Sequence, residues 1–206
     1  MTGVRAKIMR PATPACAWVL AMVLGGMSLL LVASDAGAGP VRLAMETSAG
    51  VMEIELDPDR APETVANFLS YAKSGFYDGT IFHRTIYDWI IQGGGYDREL
   101  KEREAGSPVK NEADNGLKNV RGTIAMARLS DPDSADSQFF INLSDNPALD
   151  HAARSRRGWG YCVFGRVVKG MDVADAIGAM ETQEVPGFGA NVPVDPVVIE
   201  RVMILE

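Results

Sequence analysis

The sequence predicts a mainly β fold, a single closed barrel or sandwich, behind an N-terminal export segment. Three observations lead there. Short apolar runs recur along the chain and are separated by glycine-rich turns. Only two stretches carry a helical apolar stripe. No internal repeat or long linker divides the chain beyond residue 38, about 168 residues of the 206 and enough for one well-buried core.

Residues 1–38 read as an export segment. Arg5, Lys7 and Arg10 make a basic start, residues 15–33 carry no charge, and Ala36-Gly37-Ala38 forms a small-x-small exit. This is the layout of a secretory signal peptide cleaved after Ala38. The rival is a retained membrane anchor, because the apolar run is near the length that spans a bilayer. Cys16 lies too early, and without an apolar lead-in, to carry a lipid.

The folded part, residues 39–206, begins with two alternating runs, 41–47 and 51–56, joined as a hairpin through Ser48-Ala49-Gly50. Residues 62–74 form the clearest helix. Pro62 suits its first turn, Gly75 suits its end, and Val65, Phe68, Leu69 and Ala72 make one stripe. Strand-like pieces follow at 80–84, 90–92, 123–127, 138–142, 161–168 and 197–205, with a second short helix at 171–179. Residues 97–119 are polar and irregular, a long surface excursion of the kind that often lines functional sites.

Charge and composition exclude several functions. Removing Arg5, Lys7, Arg10 and Asp35 from the 20 basic and 27 acidic residues leaves 17 and 26, a net of −9. No basic cluster stands clear of the surrounding acid, so nucleic acid is not an expected partner. The two histidines, His83 and His151, are far apart, and no zinc spacing exists. Gly93-Gly94-Gly95 matches no nucleotide-binding pattern. No Gly-x-Ser-x-Gly elbow occurs. Asp131, Asp133 and Asp136 lack the glycine and glutamate of a calcium loop. Cys162, in the apolar run 161–164, reads as a small buried hydrophobe. Neither cofactor nor metal is expected.

One stretch stands out: Phe82-His83-Arg84-Thr85-Ile86-Tyr87-Asp88-Trp89-Ile90-Ile91-Gln92-Gly93-Gly94. Gly122-Thr123-Ile124-Ala125-Met126-Ala127 and Ser137-Gln138-Phe139-Phe140-Ile141 come after it. These segments resemble the cyclophilin family in order and spacing. Gly75-Phe76-Tyr77 and Val163-Phe164-Gly165 fit the same pattern, and the likeness runs from about residue 41 to the C-terminus. Lys110-Asn111-Glu112-Ala113 and the signal segment make it most like the bacterial exported branch.

The resemblance implies a closed eight-stranded antiparallel β-barrel capped by two α-helices. It also implies a peptidyl-prolyl cis-trans isomerase that assists folding by accelerating X-Pro rotation in exported proteins. Its partners would be proline-containing unfolded or extended polypeptide segments, met by a monomer free of the membrane once the signal is cleaved. By the matching motifs, Arg84 takes the catalytic arginine position, and Gln92, counted with it as catalytic, falls on a position that bonds the peptide backbone or holds Arg84. Phe140, Trp89, Ile90 and Leu149 fall on the proline pocket, with Ile86 beside them. Gln138 falls on a position that bonds the peptide backbone or holds Arg84. Ala127 and Arg128 lie along the groove, and Tyr161 stands where many members carry histidine.

This chain departs from the pattern in places. Trp89 and Ile90 replace the common Phe-Met and reshape the pocket. Ala148 stands where other members carry an aromatic wall, and an arginine-rich loop, 151–160, lies just beyond it. A peptide-binding module or holdase with little isomerase activity is the alternative these departures raise. A small-ligand barrel is disfavoured, because so many apolar strand residues would fill the interior. N-terminal sequencing of the protein from its native cell is expected to begin at Gly39; an intact Met1 in the membrane fraction would establish the anchor instead.

Overall fold

The computed structural model describes residues 39–205. The export segment therefore lies outside the described residues. Among those described, the order is β1 (Val41–Thr47), β2 (Gly50–Leu56), α1 (Pro62–Lys73), β3 (Phe82–Ile86), β4 (Ile90–Gly93), β5 (Thr123–Met126) and β6 (Phe139–Asn142). Then come β7 (Val163–Lys169), α2 (Met171–Gly178), β8 (Thr182–Val185), β9 (Gly189–Pro193) and β10 (Ile199–Leu205). Eight strands form one antiparallel sheet in the order β10-β1-β2-β7-β5-β6-β4-β3, and β8 and β9 form a separate hairpin.

The expected closed barrel is corrected: the sheet is curled but open. Its terminal strands, β10 and β3, share no ladder. They approach at a seam where Ile81 and Val198 form an isolated bridge, Phe82 N–H donates to Val197 O at 3.0 Å, and Ile199 N–H donates to Thr80 O at 2.7 Å. Pro196, which has no N–H, directly precedes the seam and cannot extend it. Hairpin β8–β9 packs on β3. It went unpredicted because its strands are largely exposed, so no apolar period marks them.

The concave side holds the core. Leu43, Met45, Met52, Ile54 and Leu56 from β1 and β2 meet Phe68 of α1 and Phe139, Ile141 and Phe164 from the middle of the sheet. Phe68 stands 5.0–5.6 Å, centroid to centroid, from Tyr77, Phe139 and Phe164. Helix α1 starts at Pro62 as predicted, but no side chain at its N-cap satisfies the free amides. Glu112, from the long loop, does so instead. Its carboxylate accepts from Glu63 N–H at 3.1 Å, and from Thr64 N–H and Oγ1 at 2.8 and 2.7 Å. The long loop is thereby tied to the helix.

Cys162 is 3% exposed, and its Sγ lies 3.4 Å from Thr64 Oγ1. Burial pushes the thiol up to about 12, so it stays protonated and unreactive at neutral pH. His83 is 4% exposed, set edge-on against Tyr96 and Phe188, with no hydrogen-bond partner on Nδ1. Burial, and then the neighbouring Arg84 cation, lower its pKa to about 4.

The unfolded chain takes up this proton near pH 6.5 and the folded chain only near 4, so stability is lost as pH falls through that window. The expected loss is on the order of 3 kcal/mol. Urea unfolding at pH 7 and pH 4.5 should show most of it in the native chain, and a smaller pH response in His83→Leu. An equal response in both would remove His83 as the cause.

Candidate active site

The site is built by strand register. Arg84 on β3 pairs with Gln92 on β4, and Gln92 pairs with Phe140 on β6. Phe140 pairs with Ala125 on β5, and Ala125 with Val163 on β7. Residues directly opposite one another share a face, as do residues two apart. One row across five strands thus faces away from the core, with Ile90, Gln138 and Ala127 beside it. Ile90, Ala125, Phe140 and Val163 form a second, smaller apolar cluster there. The alternate residues Ile91, Ile124, Phe139 and Ile141 face the main core.

A cavity of about 140 Å³ opens on this row. Ile90 and Phe140, each 3% exposed, are its buried apolar part. Trp89, Leu149, Tyr161 and Ala127 are half-buried around them, and Arg84, Gln92 and Arg128 bring polar groups to the lining. The volume is well below the ~300–1,000 Å³ of drug-sized ligand sites, so it suits one small ring.

Arg84 Nη1 donates to Gln92 Oε1 at 3.3 Å, and Gln92 Nε2 donates to Gln138 Oε1 at 3.1 Å. The guanidinium lies 5.3 Å from the centroid of the Trp89 ring. Partial burial lowers its pKa from the ordinary arginine value, yet arginine remains protonated throughout. The result is a fixed, partly desolvated cation with a neutral partner beside an apolar pocket. Arg128 is committed elsewhere: its Nε donates to Gly160 O at 2.8 Å, and it stacks 4.8 Å from the Tyr161 ring, which meets Phe140 edge-on at 5.6 Å.

Gln138 is not in the lining of this cavity. It lines a neighbouring one, of about 370 Å³, and reaches Arg84 only through Gln92. The glycine cluster has its use here: a Cβ on Gly95 would meet the Gln138 side chain at 2.5 Å. Ile86 shares the Arg84 face but pairs with Ile90 at the strand end, outside the lining. Ala148 is exposed on the 3₁₀ turn Pro147–Leu149 and does not line the cavity either. A larger cavity, about 550 Å³, has its Arg166 already paired with Glu55 at 3.0 Å, so it offers no free, buried cation.

Sequence reasoning missed three asparagines that hold the walls. Asn119 Nδ2 donates to Leu149 O at 3.1 Å and Tyr161 O at 3.3 Å. Asn142 Nδ2 donates to Asn119 Oδ1 at 3.2 Å. Asn146 Nδ2 donates to Asn142 Oδ1 at 2.7 Å and to Trp89 O at 3.1 Å. All three are buried, and their chain fixes the backbone behind Trp89, Leu149 and Tyr161. The available signal was an asparagine, Asn142, ending an otherwise apolar strand.

Comparison with known proteins yields consistent matches. The family described as "Cyclophilin type peptidyl-prolyl cis-trans isomerase/CLD" matches residues 42–204. The chain is 49% identical over 189 residues to peptidyl-prolyl cis-trans isomerase A of Dickeya dadantii, covering 91% of this chain and 97% of that one. It is 49% identical over 164 residues to peptidyl-prolyl cis-trans isomerase B of Escherichia coli, covering 80% and 99%. A cyclophilin-type isomerase of Cryptosporidium parvum, crystallised in the presence of the dipeptide Ala-Pro, superposes with a TM-score of 0.65 at 27% identity, over 80% of this chain and 99% of that one.

Proposed function

The chain belongs to the cyclophilin-type peptidyl-prolyl cis-trans isomerases, and from that premise we propose that Arg84 is its catalytic residue and exported polypeptides are its clients. The observation that carries the first part is the Arg84–Gln92–Gln138 chain beside a pocket the size of one ring.

Rotation about an X-Pro bond breaks no covalent bond to substrate. The barrier, about 18–20 kcal/mol, is the amide resonance itself. The proline ring packs against Phe140, Ile90 and Leu149, with Trp89 and Tyr161 at the sides. Ala127 and Ile86 flank the path of the neighbouring peptide, Arg128 borders it while held by Gly160 O, and Gln138 holds Gln92 in place. Arg84 then donates to the twisting amide, which holds the prolyl nitrogen pyramidal and removes its conjugation. Partial desolvation strengthens that donation, and Gln92 fixes its direction before substrate arrives.

The exported setting rests on the charge pattern of residues 5–38. There the enzyme acts as a monomer on proline-containing segments of proteins still folding, with the signal peptide removed and no lasting membrane contact.

Arg84→Ala is expected to lower kcat/KM at least tenfold, about 1.4 kcal/mol or more of transition-state stabilisation, with the circular-dichroism spectrum unchanged. Arg84→Lys should recover little, since a point charge lacks the planar fork. Near-native turnover in the alanine variant would remove Arg84 from the mechanism.

Cyclosporin should bind weakly. Ala148 stands where the resemblance places the tryptophan that eukaryotic members link to cyclosporin binding; alanine offers neither its indole N–H nor its apolar face, and losing such a contact costs roughly 2–4 kcal/mol in a binding hot spot, about 30- to 1000-fold in affinity. Trp159 does not substitute for it. Its indole N–H donates to Asn111 O at 3.1 Å, and its ring packs on the main core. Ala148→Trp should tighten the drug more than it raises kcat/KM; nanomolar inhibition of the native chain would refute this.

A further inference from the structure

Two arginines at the tip of the loop over residues 151–160 have no role in the isomerase chemistry of the cavity. Arg156 and Arg157 are exposed, and among the described residues neither has a hydrogen bond or an ion pair. Every other described arginine is engaged: Arg154 with Asp114 at 2.8 Å, Arg128 with Gly160 O, Arg121 with Asp175. They are two adjacent unpaired cations on a domain whose net charge is −9, from 17 basic and 26 acidic residues over 39–206.

Their location is informative. The loop springs from Leu149 and returns at Tyr161, and both residues line the cavity. Its base is closed by Tyr161 N–H donating to Leu149 O at 2.9 Å. Its stem is pinned as well. Ala152 and Ala153 N–H donate to Gly158 O at 2.8 and 2.9 Å. Trp159 is anchored through its indole to Asn111 O, with His151 edge-on to it at 5.5 Å. Nearby acids are already engaged: Asp114 by Arg154, Asp150 by Lys118 and Asn119, Asp133 by the Asn111 amide. The pinned stem fixes the backbone of a loop whose two ends, Leu149 and Tyr161, line the cavity, so only the two arginine side chains remain to be ordered on binding.

We propose that Arg156 and Arg157 form an anion-selecting rim, and that this isomerase prefers polypeptide segments carrying Asp or Glu within a few residues of the isomerised proline. This rests on the cyclophilin-type reading of the cavity and adds a charge preference to it. The contribution is electrostatic and solvent-exposed, so it is sensitive to salt and acts mainly on encounter and KM.

The test uses the native chain and an Arg156→Ser/Arg157→Ser variant on three peptides that share one Ala-Pro core and carry flanking Glu, Gln or Lys. At low salt, the native chain should favour the Glu over the Lys peptide by about three- to tenfold in kcat/KM, the range two exposed charge pairs support. The preference should disappear in the double variant and shrink in high salt, while the Gln peptide turns over equally in both proteins. Arg156→Glu/Arg157→Glu should reverse the order. Equal rates on Glu and Lys peptides in the native chain, or a preference that survives the double variant, would overturn the rim. Turnover of the Gln peptide reports the isomerase reading separately, so the two can fail independently.

Discussion

The candidate site depends on the register of five strands. The row Arg84–Gln92–Phe140–Ala125–Val163 turns one set of side chains outward, and the alternate set fills the core. Because side chains alternate strictly, a slip of one residue would bury the arginine and expose Phe139 and Ile141. Core burial therefore enforces the site. The apolar residues that stabilise the sheet also specify which face carries the cation.

The site needs support on two sides, and each side uses a different material. On the strand side, Gln92 and Gln138 relay a hydrogen-bond chain to Arg84, and Gly95 gives Gln138 the room it needs. On the loop side, buried asparagines fix the backbone of Trp89, Leu149 and Tyr161. Asp88, at φ 53°, makes the tight turn before Trp89, and its carbonyl accepts from Ser144 Oγ at 2.7 Å. Polar groups thus hold the walls of an otherwise apolar pocket, and the pocket's shape is set before any substrate enters.

Much of this was legible in the sequence, for definable reasons. Strands β1 and β2 alternate cleanly, and α1 carries a proline start and one apolar stripe, so their limits were found to within a residue or two. The pocket residues were legible only through the motif likeness, because Phe140 and Ile90 look like ordinary core residues in isolation. Sheet closure was not legible, since it depends on whether two distant strand edges form a ladder. The β8–β9 hairpin left no apolar period, and the asparagine chain joins positions up to 57 residues apart, as from Asn146 to Trp89, which no local pattern reveals.

The central claim is that Arg84 acts as a donor aimed by Gln92. A double-mutant cycle on isomerase kcat/KM tests it most directly, because coupling separates aim from independent effect. Gln92→Ala should cost about tenfold in the native background. The same change should cost almost nothing when Arg84 is already alanine. Equal losses in the two backgrounds would show that Gln92 acts without Arg84 and would contradict the aimed cation.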